Sequence, residues 1–203
     1  MIFSDAALPM ALFALATSAT PGPVNVLSAM SGARFGIWLS LPYVLGATTS
    51  FVAILVGLGM GLQAILNLIE RFSLAMSLSG AAYMLYLAWR IAADSGDLCF
   101  EKMQRPRPGF ATGLVTQALN PKAWIVSLSA ITIYVAPHGD YMVRLATFSA
   151  IFYLICAASL ATWVVVGAQV ARFSGNVALF NRVMAGLLAL SVIVILIEAL
   201  PTR

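Results

Sequence analysis

Residues Thr17–Val26 read TSATPGPVNV. The stretch lies inside a long apolar run, yet two prolines flank a glycine at its centre. Proline lacks an N–H and clashes with the carbonyl one turn back. Gly22 is free to take backbone angles that other residues avoid. The stretch therefore breaks a helix in the middle of a segment otherwise fit for a membrane. Whether that break is a fault or a device decides how the fold is read.

The chain has 203 residues, 62% of them hydrophobic and 9% charged. Soluble domains carry about 45–50% apolar and about 25% charged residues. A soluble fold could not hide so much apolar surface, so the solvent for most of the chain is lipid. The net charge of +4 is small and the cations sit in gaps between apolar runs. Nucleic acid needs clustered cations on one accessible face, and that class is excluded as a partner. Cys99 falls in the longest polar gap and reads as a loop thiol, whereas Cys156 falls in an apolar run and reads as a packing residue. Neither has metal-ligand spacing around it, so no metal site, disulfide or cofactor is expected. The N-terminus lacks a cationic region before its apolar run, so it reads as a retained segment.

About 20 apolar residues cross a bilayer core of about 30 Å. Six segments qualify: 6–33, 36–66, 72–92, 110–136, 143–171 and 183–200. None alternates as a strand would, and an α-helical bundle satisfies every backbone group in lipid. The expected fold is an all-α membrane protein with six transmembrane helices. Cations favour the cytoplasmic side. With the N-terminus outside, the inner loops hold Arg34, Arg90, Lys102, Arg105, Arg107, Arg172 and Arg182, and the outer side holds Arg71, Arg144 and Arg203. Both termini are thus expected outside, with the 94–109 connector in the cytoplasm. The connector divides the chain into halves, 1–93 and 110–203, of three spans each. Three is odd, so the second half enters from the opposite face, as in an inverted repeat. Transporters built this way hold substrate near the midplane, at broken helices in corresponding positions.

The second half carries a matching break. Its first span contains Asn120-Pro121-Lys122 where the first half has Pro21, Gly22, Pro23 and Asn25. At 1.5 Å per residue, Val24–Ala33 measures about 15 Å and Phe110–Asn120 about 16 Å. Both breaks therefore fall about halfway through a core of about 30 Å. Thr20 and Asn120 have N-cap chemistry, and proline favours the first helical position. A half-helix start offers free N–H groups and partial positive charge, which suit a carboxylate. Lys122 is the ionisable residue deep within a span. A charge there is costly and by default marks function, facing a cavity or partner. Its structural alternative is a bond to carbonyls freed at the break. Asn25 divides between ligand and helix–helix contact.

With TPGPVN in the first span, SGAAYMLYLAWRIA in the third and GFATGLVTQALNPKAW opening the fourth, the chain resembles the LysE/RhtB superfamily of bacterial amino-acid exporters. Within it, GAAYMLYLAWRIA together with SAITIYVAP looks closest to the cysteine/O-acetylserine exporter branch. The resemblance implies a multi-pass inner-membrane transporter, not an enzyme, driven by an ion gradient and often dimeric. It also implies that Pro21, Gly22, Pro23, Asn120, Pro121 and Lys122 belong to the transport core. Many members carry asparagine directly after the PGP, where this chain has Val24 and then Asn25.

Other features read more simply. GLGMG at 57–61 has the wrong spacing for a nucleotide loop and reads as helix packing. Gly32 and Gly36 form a small-xxx-small pair that either packs closely or makes the turn. Tyr83, Tyr86 and Trp89 read as an interfacial anchor, with Tyr83 deep enough to line a cavity. His138 reads as an exposed turn residue. No carboxylate lies mid-span, so if the coupling ion is H+ its carrier would be Lys122, water or the substrate. A thiol-disulfide carrier would need a cysteine pair at the breaks. A metal exporter would need soft or carboxylate ligands in the spans. Export of a small amino acid is the expected function.

Overall fold

A computed structural model describes residues 2–61, 82, 86, 107–137, 140–174, 179–180, 182–187, 189–190 and 193. The third expected span, with Tyr83 and Trp89, lies outside the described residues, as do Cys99 and His138. The sixth is described only in part, as helical residues between 182 and 193. Every regular element among the described residues is helical.

The first span is two half-helices. Helix α1 runs Ile2–Ala19 and α2 runs Pro23–Phe35. They meet at 63°, so the interruption is a true bend. Gly36 ends α2 with φ +78°, and its N–H bonds the Gly32 carbonyl at 3.0 Å. That left-handed angle suits glycine and sets the turn into the next helix. Helix α3, Ile37–Gly61, has 25 residues. At 1.5 Å per residue it is about 37 Å long and crosses the core unbroken.

The fourth span is also divided. Helix α4 runs Phe110–Ala118 and α5 runs Pro121–Ala130, followed by a π-helical turn at Ile131–Val135. The π turn was not expected. Such turns insert a residue into the helical ladder. Here it carries Tyr134 to the aromatic core, 5.4 Å from the Phe13 ring and 5.7 Å from Phe148. Helix α6, Tyr141–Ser174, has 34 residues. It is longer than a bilayer core requires, so it must tilt or project beyond the hydrocarbon.

Helices α3 and α6 run antiparallel. Tyr141 donates to the Gly59 carbonyl, Phe51 stacks on Phe152 with centroids 4.0 Å apart, and Thr48 reaches Cys156. The contacts step down one helix as they step up the other. This is the sense required if the second half enters from the opposite face.

Glycines set how closely helices approach. A Cβ on Gly32 would lie 2.0 Å from the Val164 carbonyl oxygen, and one on Gly167 would lie 1.7 Å from the Ala29 oxygen. Helices α2 and α6 thus touch backbone to backbone. Gly46 and Gly113 allow the same between α3 and α4. Lipid supplies no hydrophobic drive between helices, so association depends on such close van der Waals fit. The two readings of Gly32 and Gly36 divide accordingly: Gly32 packs and Gly36 turns. In GLGMG, Gly59 packs against the Leu145 side chain. Large apolar side chains such as Trp38, Leu154 and Phe173 face outward, which suits a lipid surround.

Candidate functional site

The end of α1 leaves carbonyls that no further helical turn can satisfy. Side chains from three elements reach them. Asn25 Nδ2 donates to the Ser18 carbonyl at 2.7 Å, and Trp163 Nε1 donates to Ala19 at 3.3 Å. Lys122 Nζ donates to the Thr20 carbonyl at 3.3 Å, across 102 residues of sequence. The negative end of a helix dipole favours a cation there. Lys122 therefore makes the kind of contact its structural alternative required, but with the opposite break rather than its own. The two breaks are joined through one ammonium group.

Two expectations about the first break are corrected. Thr20 does not cap α2, because its hydroxyl turns back to the Ala16 carbonyl. The N-cap of α2 is Gly22, with no side-chain cap bond. Gly22 also does not exploit glycine's angular freedom. Its φ of −161° and ψ of 177° are extended backbone open to any residue. A side chain there would also be in ordinary contact with its neighbours. A Cβ there would sit 3.7 Å from both Asn25 Oδ1 and Lys122 Nζ. Proline at N1 has no N–H to lose, and no side chain caps the N–H groups that follow Gly22.

The second break is capped as expected. Asn120 Oδ1 accepts from the Lys122 backbone N–H at 3.2 Å. Its Nδ2 donates to Gln117 Oε1 at 2.9 Å, and both side chains are buried. Trp124 Nε1 donates to the Ala118 carbonyl at 2.8 Å. Because this cap satisfies a helix start inside lipid, Asn120→Ala should lower stability by about 1 kcal/mol. Thermal unfolding in detergent would measure it. Asn120→Ser, which keeps a neutral cap acceptor, should lose less.

These groups surround a cavity of about 350 Å³ of empty space, counting its open mouth. Thr17, Ser18, Val24 and Asn25 line it from the first break, and Gln117, Asn120, Lys122 and Ala123 from the second. Phe51, Phe152, Cys156 and Leu160 close the far wall. Pro21, Gly22, Pro23 and Pro121 shape the backbone around it without contributing side chains to its lining. Asn25, Asn120 and Lys122 are thus brought together. Tyr86 is half-exposed on the outside, apart from this cavity.

Several lining residues were not anticipated. Gln117 stands three residues before Asn120, a helical spacing that could have flagged the pair. Ser18 sits inside the quoted stretch but has no local feature to mark it. Cys156 is buried as a packing residue would be, yet it also faces the cavity. Among the described residues no group of three histidine, cysteine or acidic side chains could hold a metal ion.

The arrangement presents opposite partial charges across one short break. The end of α1 offers carbonyl oxygens, and the start of α2 and the Lys122 ammonium offer positive charge beside them. Carbonyl oxygens have two lone pairs, so each could accept a second donor. A small zwitterion is complementary to this pattern.

The profile of the family described as LysE type translocator matches residues 15–200. A protein named cysteine/O-acetylserine efflux protein from Klebsiella pneumoniae subsp. pneumoniae is 29% identical over 158 residues, covering 76% of this chain and 78% of that one. The protein of the same name from Salmonella typhi is 27% identical over 157 residues, with the same coverage. No solved structure matches the chain.

Proposed function

The chain belongs to the LysE type translocator family, and from that premise we propose that it exports small neutral amino acids or their derivatives across the bacterial inner membrane. The class includes cysteine and O-acetylserine, after the relatives' names. The observation that carries the reading is Lys122 bridging the two breaks beside the cavity. The substrate carboxylate would meet the Lys122 ammonium and the uncapped start of α2. Its amino group would meet carbonyls at the end of α1 and Asn25 Oδ1. A carboxylate that draws Lys122 from Thr20 loosens the link between the breaks. Binding would thereby favour the rocking that alternates access.

In this reading the chain is two inverted three-helix halves, 1–93 and 110–203, joined by a cytoplasmic connector at 94–109. The antiparallel course of α3 and α6 supports it, as does the placement of cations, which puts both termini in the periplasm. Proton coupling and assembly as a homodimer come into the reading from the family resemblance.

Counterflow in proteoliposomes tests the central claim. Vesicles preloaded with unlabelled cysteine or O-acetylserine should accumulate the labelled compound faster than protein-free vesicles. An imposed pH gradient should change the steady level if protons are coupled. A panel of labelled amino acids with no counterflow above the protein-free rate would refute the export reading.

A further inference from the structure

We propose that Ser18, Thr48 and Cys156 form the subsite that receives the substrate's side chain, selecting small amino acids whose side chain can hydrogen bond: a hydroxyl, a thiol or an ester. The proposal rests on the export reading and assigns the part of the same cavity where α1 meets α6. The three residues come from α1, α3 and α6. Ser18 and Cys156 line the cavity, and Thr48 lies directly behind the thiol. Thr48 is fully buried, Cys156 is 4% exposed and Ser18 is 8% exposed. The Thr48 hydroxyl donates to Cys156 Sγ at 3.9 Å. The Ser18 hydroxyl is buried and lies against the same Cys156 thiol, a weak partner, and makes no hydrogen bond of ordinary geometry.

Serine and threonine in membrane helices usually return their hydroxyls to the carbonyl one turn back. Thr17, Ser28, Thr116 and Thr162 all do so here. Ser18 does not, though its hydroxyl is buried beside a cavity. An unpartnered buried hydroxyl costs free energy that alanine at the same position would avoid. Ser127 and Ser149 are also unpartnered, but they lie off the cavity lining. Ser18 therefore has only the weak thiol contact, and a ligand atom in the cavity that both residues line would be a better partner.

The rest of the far wall defines size. Phe51 and Phe152 are stacked in parallel, and with Leu160 they form an apolar boundary. A short side chain with one polar group satisfies Ser18 and the Thr48–Cys156 pair. A methyl side chain leaves Ser18 with only the weak thiol contact. A charged side chain would meet no opposite charge on this wall. Sites that hydrogen bond a substrate group reject analogues lacking it, because their own groups stay unsatisfied.

The test is competitive counterflow in proteoliposomes with labelled serine, cysteine, O-acetylserine and alanine. The wild-type protein should favour serine over alanine by about tenfold, the value of one to two hydrogen bonds. Ser18→Ala and Thr48→Val should each collapse that ratio towards one. Cys156→Ser should keep it, whereas Cys156→Val should reduce it. A second measurement uses a Cys99→Ser background, in which methylmaleimide can label only Cys156. Serine should slow that labelling more than alanine does at equal concentration. A wild-type ratio near one, variants that lower all substrates in equal proportion, or equal protection by both amino acids would overturn the subsite. Active transport with unaltered ratios defeats this proposal alone. No counterflow with any amino acid defeats the export reading and the subsite with it.

Discussion

Lys122→Met should reduce amino-acid counterflow by at least about a hundredfold, the scale expected for losing a charge-assisted contact of about 3 kcal/mol. Methionine keeps the length and most of the apolar stem, so the change removes the ammonium with little loss of packing. The structural role of Lys122 is one bond to a carbonyl. Removing a cation that is costly to hold in lipid can even raise stability. The two roles therefore separate. A purely structural lysine would lower thermal stability and leave transport by the surviving protein near normal. A transport lysine would leave the protein folded and silent. Lys122→Arg should retain part of the activity, because the charge persists but its planar fork fits a single carbonyl less well. Counterflow rates normalised to folded protein, beside melting curves in detergent, decide between them. Near-normal transport by folded Lys122→Met would remove Lys122 from the site.

Gly167→Ala should destabilise the fold by about 3 kcal/mol or more, at the upper end of overpacking costs. The added Cβ would lie 1.7 Å from the Ala29 carbonyl oxygen. That obstacle is backbone and cannot rotate away. Helices α2 and α6 would have to separate, and their contact depends on close approach. Gly32→Ala should behave alike, since its Cβ would lie 2.0 Å from the Val164 oxygen. Two controls distinguish this from a general intolerance of glycine replacement. Gly57 has nothing within 4 Å, so Gly57→Ala should be neutral or stabilising. Gly59 meets only side-chain carbons of Leu145, which can shift, so Gly59→Ala should cost less. A lowered melting temperature for Gly167→Ala and Gly32→Ala, with Gly57→Ala unchanged, is the expected pattern. Equal melting temperatures for all four would mean that α2 and α6 are not in close contact. Because α2 carries Val24 and Asn25 and α6 carries Cys156, the same separation should also open the cavity and weaken transport.

Much of the site was legible before the structure because its signals are local. Proline and glycine interrupt a helix wherever they occur, so the 63° bend at Pro21–Pro23 could be read from TPGP alone. Asn120 before Pro121 is a cap by residue type, and it caps. A lysine between apolar neighbours announces its own cost. Where the sequence reading erred at these positions, the cause was conformation. Thr20 had the right chemistry to cap α2, but its hydroxyl had a nearer acceptor in its own helix. Gly22 had angular freedom that the extended backbone did not require.

By itself, then, the sequence determined a lipid-embedded helical chain with two interrupted apolar segments and a charged residue at one of the interruptions. Composition, proline chemistry and the price of a buried charge act on each segment separately, without reference to its neighbours. Tertiary structure alone decided which break Lys122 serves, because its partner at Thr20 is 102 residues away. It alone brought Thr48 to Cys156 across 108 residues and set the Ser18 hydroxyl against the same thiol. In lipid, a hydroxyl on an isolated helix returns to its own backbone. Where helices from both halves enclose a cavity, as at Ser18, it can turn to a group from another helix.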